Sequence, residues 1–246
     1  MCFPLHFVYI IRNDVECPWR VSIMNCLKYV VLHLVILCCS LYCRLKSTRM
    51  GRKCTVGGFP IITRKKGASL ILGNEVMLLS HHLFNSLIVH RCSLNLVDKN
   101  ATLEFHDYSG ASGALIVCGK HISIGKYTII GAGTIIDDTK HHLFSKEKGW
   151  RSVCKGVATP IIIGNYCYIG TNSIILRGVT IGDYCIVSAG SVITEDVPTG
   201  YLAKGNPAKL YPLPEHLRTR PDGTIVPLGK MKAEGISAVS PSPNAS

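Results

Sequence analysis

The sequence predicts an all-β fold in which the chain winds as a parallel β-helix, a triangular prism of short strands joined by tight corners. Three observations predict it. Aliphatic residues recur every six positions at Ile163, Ile169, Ile175, Ile181, Val187 and Ile193. A small or medium residue follows each of them four places on, at Cys167, Ser173, Val179, Cys185, Ser191 and Val197. Glycine stands directly after the aliphatic at Gly164, Gly170 and Gly182.

A period of six fits neither the 3.6-residue turn of a helix nor the two-residue alternation of a long strand. It fits short strands broken by corners. If three hexads make one coil, residues eighteen apart stack at about 4.8 Å, the spacing of hydrogen-bonded strands. The sequence meets that condition: Cys167 falls over Cys185, Ser173 over Ser191 and Val179 over Val197, while Ile163, Ile169 and Ile175 fall over Ile181, Val187 and Ile193. Each column repeats its residue type, as a close-packed narrow core requires. An earlier stretch carries the same pattern through Ile124, Ile130 and Ile136, with Thr128 and Thr134 in the small position. Farther upstream, LILGNEVMLLS and VDKNATLEF look like imperfect coils, which starts the prism near Gly51 and gives it residues 51–212.

Composition agrees. The 246 residues are 47% hydrophobic and 17% charged, which excludes general disorder, and 23 glycines with only 7% aromatics suit many tight turns around small interior side chains. The twelve cysteines include no C-x-x-C pair, so no metal framework is expected, and reduced thiols in a cytoplasmic domain are. The formal charge of +12 is uneven: eight Lys and Arg lie between Arg44 and Lys66 with no acid among them. Such a flank suits solvent, anionic lipid headgroups or polyanionic sugars; no helix-turn-helix, zinc finger or RNA-binding aromatic motif accompanies it, so no nucleic acid partner is expected.

Residues 1–50 differ from the rest. Positions 21–43 form a largely apolar helical stretch of about the length a membrane span needs, diluted by Asn25, Lys28 and His33. It reads as a membrane anchor holding the protein at the cytoplasmic face, as an apolar helix packed on the domain, or as sequence upstream of a true start at Met24 or Met50. Residues 213–246 lack apolar periodicity and end in small residues and proline, the composition of a disordered C-terminal tail.

The repeat breaks after Ile136, and residues 137–160 protrude before the pattern resumes. A long loop inside a regular solenoid is more often functional than accidental. This one holds Asp137, Asp138, His141, His142, Trp150 and Cys154. An imidazole near neutrality serves as general base toward a hydroxyl, given a carbonyl or carboxylate to orient its second nitrogen.

Three stretches, IGAGTIIDDTKHH, ATPIIIGNYCYIGTNSIILRGVTIGDYCIVSAGSVITEDVP and AKGNPAKLY, resemble the hexapeptide-repeat acyltransferases, in particular the sugar O-acetyltransferases related to galactoside, maltose and nodulation-factor acetyltransferases. The resemblance covers about residues 112–212. It implies a left-handed β-helix, a homotrimer, and acetyl-CoA as acyl donor lying between neighbouring subunits, with a saccharide of the cell envelope or an exopolysaccharide as acceptor. It implies His142 or His141 as base beside Asp138, a backbone N–H near Thr171 and Gly170 for the thioester oxygen, Ala189 and Thr194 along the pantetheine, and Lys204 and Lys209 near the CoA phosphates. Lys140 and Glu195 depart from the family pattern. The same prism also supports a non-catalytic scaffold or a carbonic-anhydrase-like metal enzyme, although no histidine pair has the spacing of the latter.

Overall fold

The computed structural model describes residues 18–46, 49–140, 142–147, 149–152 and 158–230. They form a left-handed parallel β-helix of three sheets. Sheet A stacks Arg49–Met50, Ser69–Leu72, Thr102–Phe105, His121–Ile124, Ile161–Ile163 and Thr180–Ile181 in that order. Sheet B stacks Thr55–Gly57, Met77–Leu79, Gly110–Ser112, Ile129–Ile130, Tyr168–Ile169, Ile186–Val187 and Tyr201–Lys204, then adds Lys209–Pro212 antiparallel. Sheet C stacks Ile61–Arg64, Ser93–Leu96, Leu115–Cys118, Ile135–Asp137, Ile174–Leu176 and Val192–Ile193.

The columns form as the six-residue period requires. Ile163 lies opposite Ile181, Ile169 opposite Val187 and Ile175 opposite Ile193, all buried. The small positions Cys167, Ser173, Cys185 and Ser191 point inward as well, and their polar atoms are spent inside. The Ser173 hydroxyl donates to the Gly170 carbonyl at 2.7 Å, and the Ser191 hydroxyl accepts the Gly205 N–H at 3.0 Å. One column fails. Val197 lies opposite Ile181 rather than over Val179, because the last coil is two residues shorter than the one before it. Upstream the coils are irregular: the step from Met77 to Gly110 in sheet B takes 33 residues, because a loop at 81–91 leaves the corner after Leu79.

The corner that follows sheet A is the most regular part. Six successive coils place a non-glycine residue there in the left-handed region: Lys53, Glu75, Tyr108, Tyr127, Tyr166 and Tyr184, with φ between 55° and 61°. That conformation costs an L-residue about 1–2 kcal/mol. Two ladders offset it. Asn74, Asp107, Asn165 and Asp183 each accept, through the side chain, the backbone N–H of the neighbouring coil's corner at 2.7–3.0 Å. The four tyrosines stack ring on ring with centroids 4.6–4.8 Å apart and planes within 15° of parallel, each pair adding about 0.5–1.5 kcal/mol.

Both ends of the prism are covered. Helix α1 (Pro18–Leu45) seats its fully buried Cys39 and Cys43 on the first coil, and Tyr42 meets Phe59 edge-on at 5.6 Å. Burial pushes the Cys43 thiol up to about 11. At the other end residues 213–230, expected to trail away, instead fold back over the last coil. Leu213 and Val226 are buried, the Arg218 guanidinium donates to both of their carbonyls, and the Gly229 N–H reaches the Thr199 carbonyl at 2.8 Å. A solenoid needs such caps, because its last coil would otherwise expose the column of aliphatics. Residues 1–17 and 231–246 lie outside the described residues.

Replacing Tyr127 tests the balance of strain and stacking. Tyr127→Ala removes two ring contacts and keeps the left-handed cost, so chemical denaturation should show a loss of about 1–3 kcal/mol. Tyr127→Gly should lose less, because glycine takes φ > 0 freely; an equal or larger loss for glycine would sink the account.

Candidate active site

Stacking one coil on the next takes 18 residues from Ile169 to Val187 but 39 from Ile130 to Ile169, so 21 extra residues leave the prism in one place. They leave at the end of Ile135–Asp137, a strand whose pairing continues unbroken to Leu115–Cys118 on one side and Ile174–Leu176 on the other. The chain closes on itself at the neck, where the Thr159 N–H donates to the Asp138 carbonyl at 2.8 Å. Beyond the neck His142–Ser145 and Gly149–Ser152 pair as an antiparallel hairpin, with His142 opposite Ser152. His142 opens the first strand of that hairpin and is exposed. His141 and Cys154 lie outside the described residues.

Asp138 sits at the neck and is fully buried. Its carboxylate accepts three backbone N–H groups from the coil above: Gly119 at 2.5 Å, Lys120 at 2.9 Å and His121 at 3.0 Å. The Cys118 sulfur lies 3.8 Å away, and burial together with the Asp138 charge pushes that thiol up to about 12. Burial pushes the Asp138 carboxyl up, against the three donors that hold it down. The carboxylate expected to serve the histidine thus fastens the root of the loop to the corner at 118–121. The step between these two coils is twenty residues rather than eighteen, so the regular period does not predict this contact. Asp137 turns the chain outward: its Oδ1 accepts both the N–H and the hydroxyl of Thr139, at 2.8 and 2.7 Å.

The remaining candidates fall into three places. Gly170, Thr171 and Ala189 share the corner between sheets B and C. A Cβ on Gly170 would stand 2.4 Å from the Ala189 nitrogen, and the Thr171 carbonyl accepts the Gly190 N–H at 2.9 Å. Only glycine permits that approach of two backbones. Thr194 stands at the other end of sheet C, directly after the Ile175–Ile193 pair and two coils below Asp137; it is exposed, as is Glu195. Lys204 and Lys209 face each other across the closing hairpin, both exposed. Thr171, in the corner before the sheet C strand Ile174–Leu176, and the loop root, at the far end of sheet C, therefore stand at opposite ends of that sheet. The fold brings together Thr171 with Ala189, Lys204 with Lys209, and Thr194 with the loop root; within one chain it does not bring Thr171 to the loop root. Among the described residues no group of three or more His, Cys, Asp and Glu is placed to hold a metal ion.

Residues 160–195 match the family model described as bacterial transferase hexapeptide, six repeats. That stretch is built of hexapeptide repeats. No curated protein matches it. Among solved structures, its repeats are similar to AntD, an N-acyltransferase from Bacillus cereus. With dTDP and coenzyme A bound, a mutant of AntD is 20% identical over 69% of this chain and 87% of AntD, with a TM-score of 0.52. With dTDP and 3-hydroxybutyryl-CoA bound, AntD is 19% identical over 67% and 82%, with a TM-score of 0.51. A hexapeptide-repeat acetyltransferase from Vibrio cholerae, complexed with acetyl-coenzyme A, is 18% identical over 83% and 81%, with a TM-score of 0.42. At these identities the likeness is one of fold.

Stability separates the two loop residues. Asp138→Ala removes the buried acceptor of three partly buried backbone donors and should cost about 3 kcal/mol or more in chemical denaturation. His142→Ala, at an exposed position, should stay within about 0.5 kcal/mol of the parent. A mild Asp138→Ala would show that the carboxylate does not hold the loop root.

Proposed function

We propose that this hexapeptide-repeat protein is an acyltransferase that takes an acetyl group from acetyl-CoA and passes it to a hydroxyl of a saccharide. The observation that carries the reading is the exposed His142 at the start of a hairpin projecting from one interrupted coil of an otherwise regular prism. An imidazole carried on that insertion can act as a general base toward a hydroxyl. The fold is one on which AntD holds CoA or an acyl-CoA, which supports the donor.

In this reading His142 removes the acceptor hydroxyl proton as the oxygen attacks the thioester carbonyl. A backbone N–H at Thr171 stabilises the oxyanion, a contribution of about 3 kcal/mol in comparable sites. The intermediate collapses with loss of the CoA thiolate, and the imidazolium returns its proton to that sulfur. Ala189 and Thr194 line the pantetheine, and the opposed Lys204 and Lys209 give two cations for the CoA phosphates. Asp138 acts by fixing where the hairpin starts. His141 is the alternative base in the same loop.

The site is completed by assembly. Because Thr171 and the loop root stand at opposite ends of sheet C, the reading needs the corner of one chain set against the loop of a neighbour, as a homotrimer provides. Outward-facing apolar side chains on the prism walls support a partner there: Leu115 and Leu176 on sheet C, Ile129 and Tyr168 on sheet B, each at least 36% exposed.

The test is release of free CoA thiol from acetyl-CoA by the purified protein with a panel of sugars, aminosugars and oligosaccharides. His142→Ala should lower turnover about 10²–10⁴-fold with folding intact, while His141→Ala keeps it. Loss in the second variant alone moves the base to His141. Absence of both turnover and acetyl-CoA binding would replace the enzyme with a scaffold.

A further inference from the structure

Helix α1 is apolar on both of its faces, and the prism uses only one. Over the described side chains Val35, Ile36, Cys39, Tyr42 and Cys43 face inward. The opposite side presents Val30, Val31, Leu34, Leu37, Leu41 and Leu45, each between 51% and 76% exposed. At 100° per residue those six span about 120°, a full apolar stripe. Polar residues on the outward side, His33 and Arg44, stand at one edge of the stripe. The loop at 81–91, which packs on Val35 and Ile36 through Phe84 and Ile88, adds Leu83, Leu87 and Val89 at 62–84% exposure beside the helix.

Charge identifies what covers this surface. No Asp or Glu occurs between Glu16 and Glu75, a stretch that holds ten Lys and Arg. Arg44, Lys46, Arg49, Arg52 and Lys53 continue directly from the helix C-terminus, all exposed. A second copy of the same chain would bring these cations against their own kind. An anionic lipid surface meets both features at once, taking apolar side chains below its headgroups and cations at its phosphates.

We propose that α1 docks this protein on an anionic bilayer, lying in the interface with Val30, Leu34, Leu37, Leu41 and Leu45 inserted and the basic run from Arg44 to Lys53 on the headgroups. The helix lies on the membrane rather than crossing it, because its other face is committed to the first coil through Cys39 and Cys43. Among the described residues no helix is long and apolar enough to cross a membrane. The proposal is independent of the acyl-transfer reading and is tested without turnover.

The experiment is co-sedimentation of the full chain with vesicles of phosphatidylcholine alone and of phosphatidylcholine mixed with phosphatidylglycerol. The chain should pellet with the anionic vesicles, and high salt should release part of it. A Leu34→Glu, Leu37→Glu, Leu41→Glu variant should lose at least about tenfold in partitioning, and so should an Arg49→Glu, Arg52→Glu, Lys53→Glu variant. Circular dichroism and the melting curve should match the parent for both. No binding to anionic vesicles, or binding that neither variant weakens, overturns the proposal. A leucine variant that changes the oligomeric mass while the parent ignores vesicles assigns the face to a second copy instead.

Discussion

Everything in this molecule depends on the distance between one coil and the next. Parallel hydrogen bonding fixes it near 4.8 Å, and at that separation each interior side chain touches the residue one coil above and one below. Columns of like aliphatics pack in the later coils, and upstream Phe105 fits between Leu72 and Ile124. The corners obey the same limit: at Gly170 the neighbouring backbone comes so close that a single Cβ has no room. Where the corner is not glycine, as at the four tyrosines, the same spacing that crowds backbones sets aromatic rings at stacking distance.

This explains which parts were legible in the sequence. From residue 161 to 193 every interior position follows from the six-residue period, because regular coils keep phase and phase is what a sequence displays. The upstream coils were only partly visible. Their steps of 22, 33 and 19 residues in sheet B break the period although the strands still stack. The covering segment at 213–230 was missed for another reason. It buries two apolar residues and holds the rest by backbone and Arg218 hydrogen bonds, so it has little apolar pattern to read.

The candidate site divides the same way. Where the loop leaves the prism was readable from the loss of phase after Ile136. What Asp138 does there was not, since a carboxylate that accepts three backbone N–H groups looks in sequence like one that orients a base. The structure adds that Asp138 is buried and accepts three backbone N–H groups at the loop root. Thr171, Ala189 and Thr194 were assigned by resemblance, and the fold distributes them over the two ends of sheet C. Within one chain these residues therefore do not meet at one place.

The closed neck at Asp138 and Thr159 makes the hairpin a detachable part. Sheet pairing runs past the insertion without a change of register, so the prism does not record how many residues lie beyond the neck. Lengthening such a loop is cheap, about 0.6 kcal/mol for each doubling. Side chains on the hairpin can therefore be exchanged, added or lost while the coils beneath keep their geometry. A scaffold of this kind separates the inheritance of shape from the inheritance of chemistry, and lets the second change at little cost to the first.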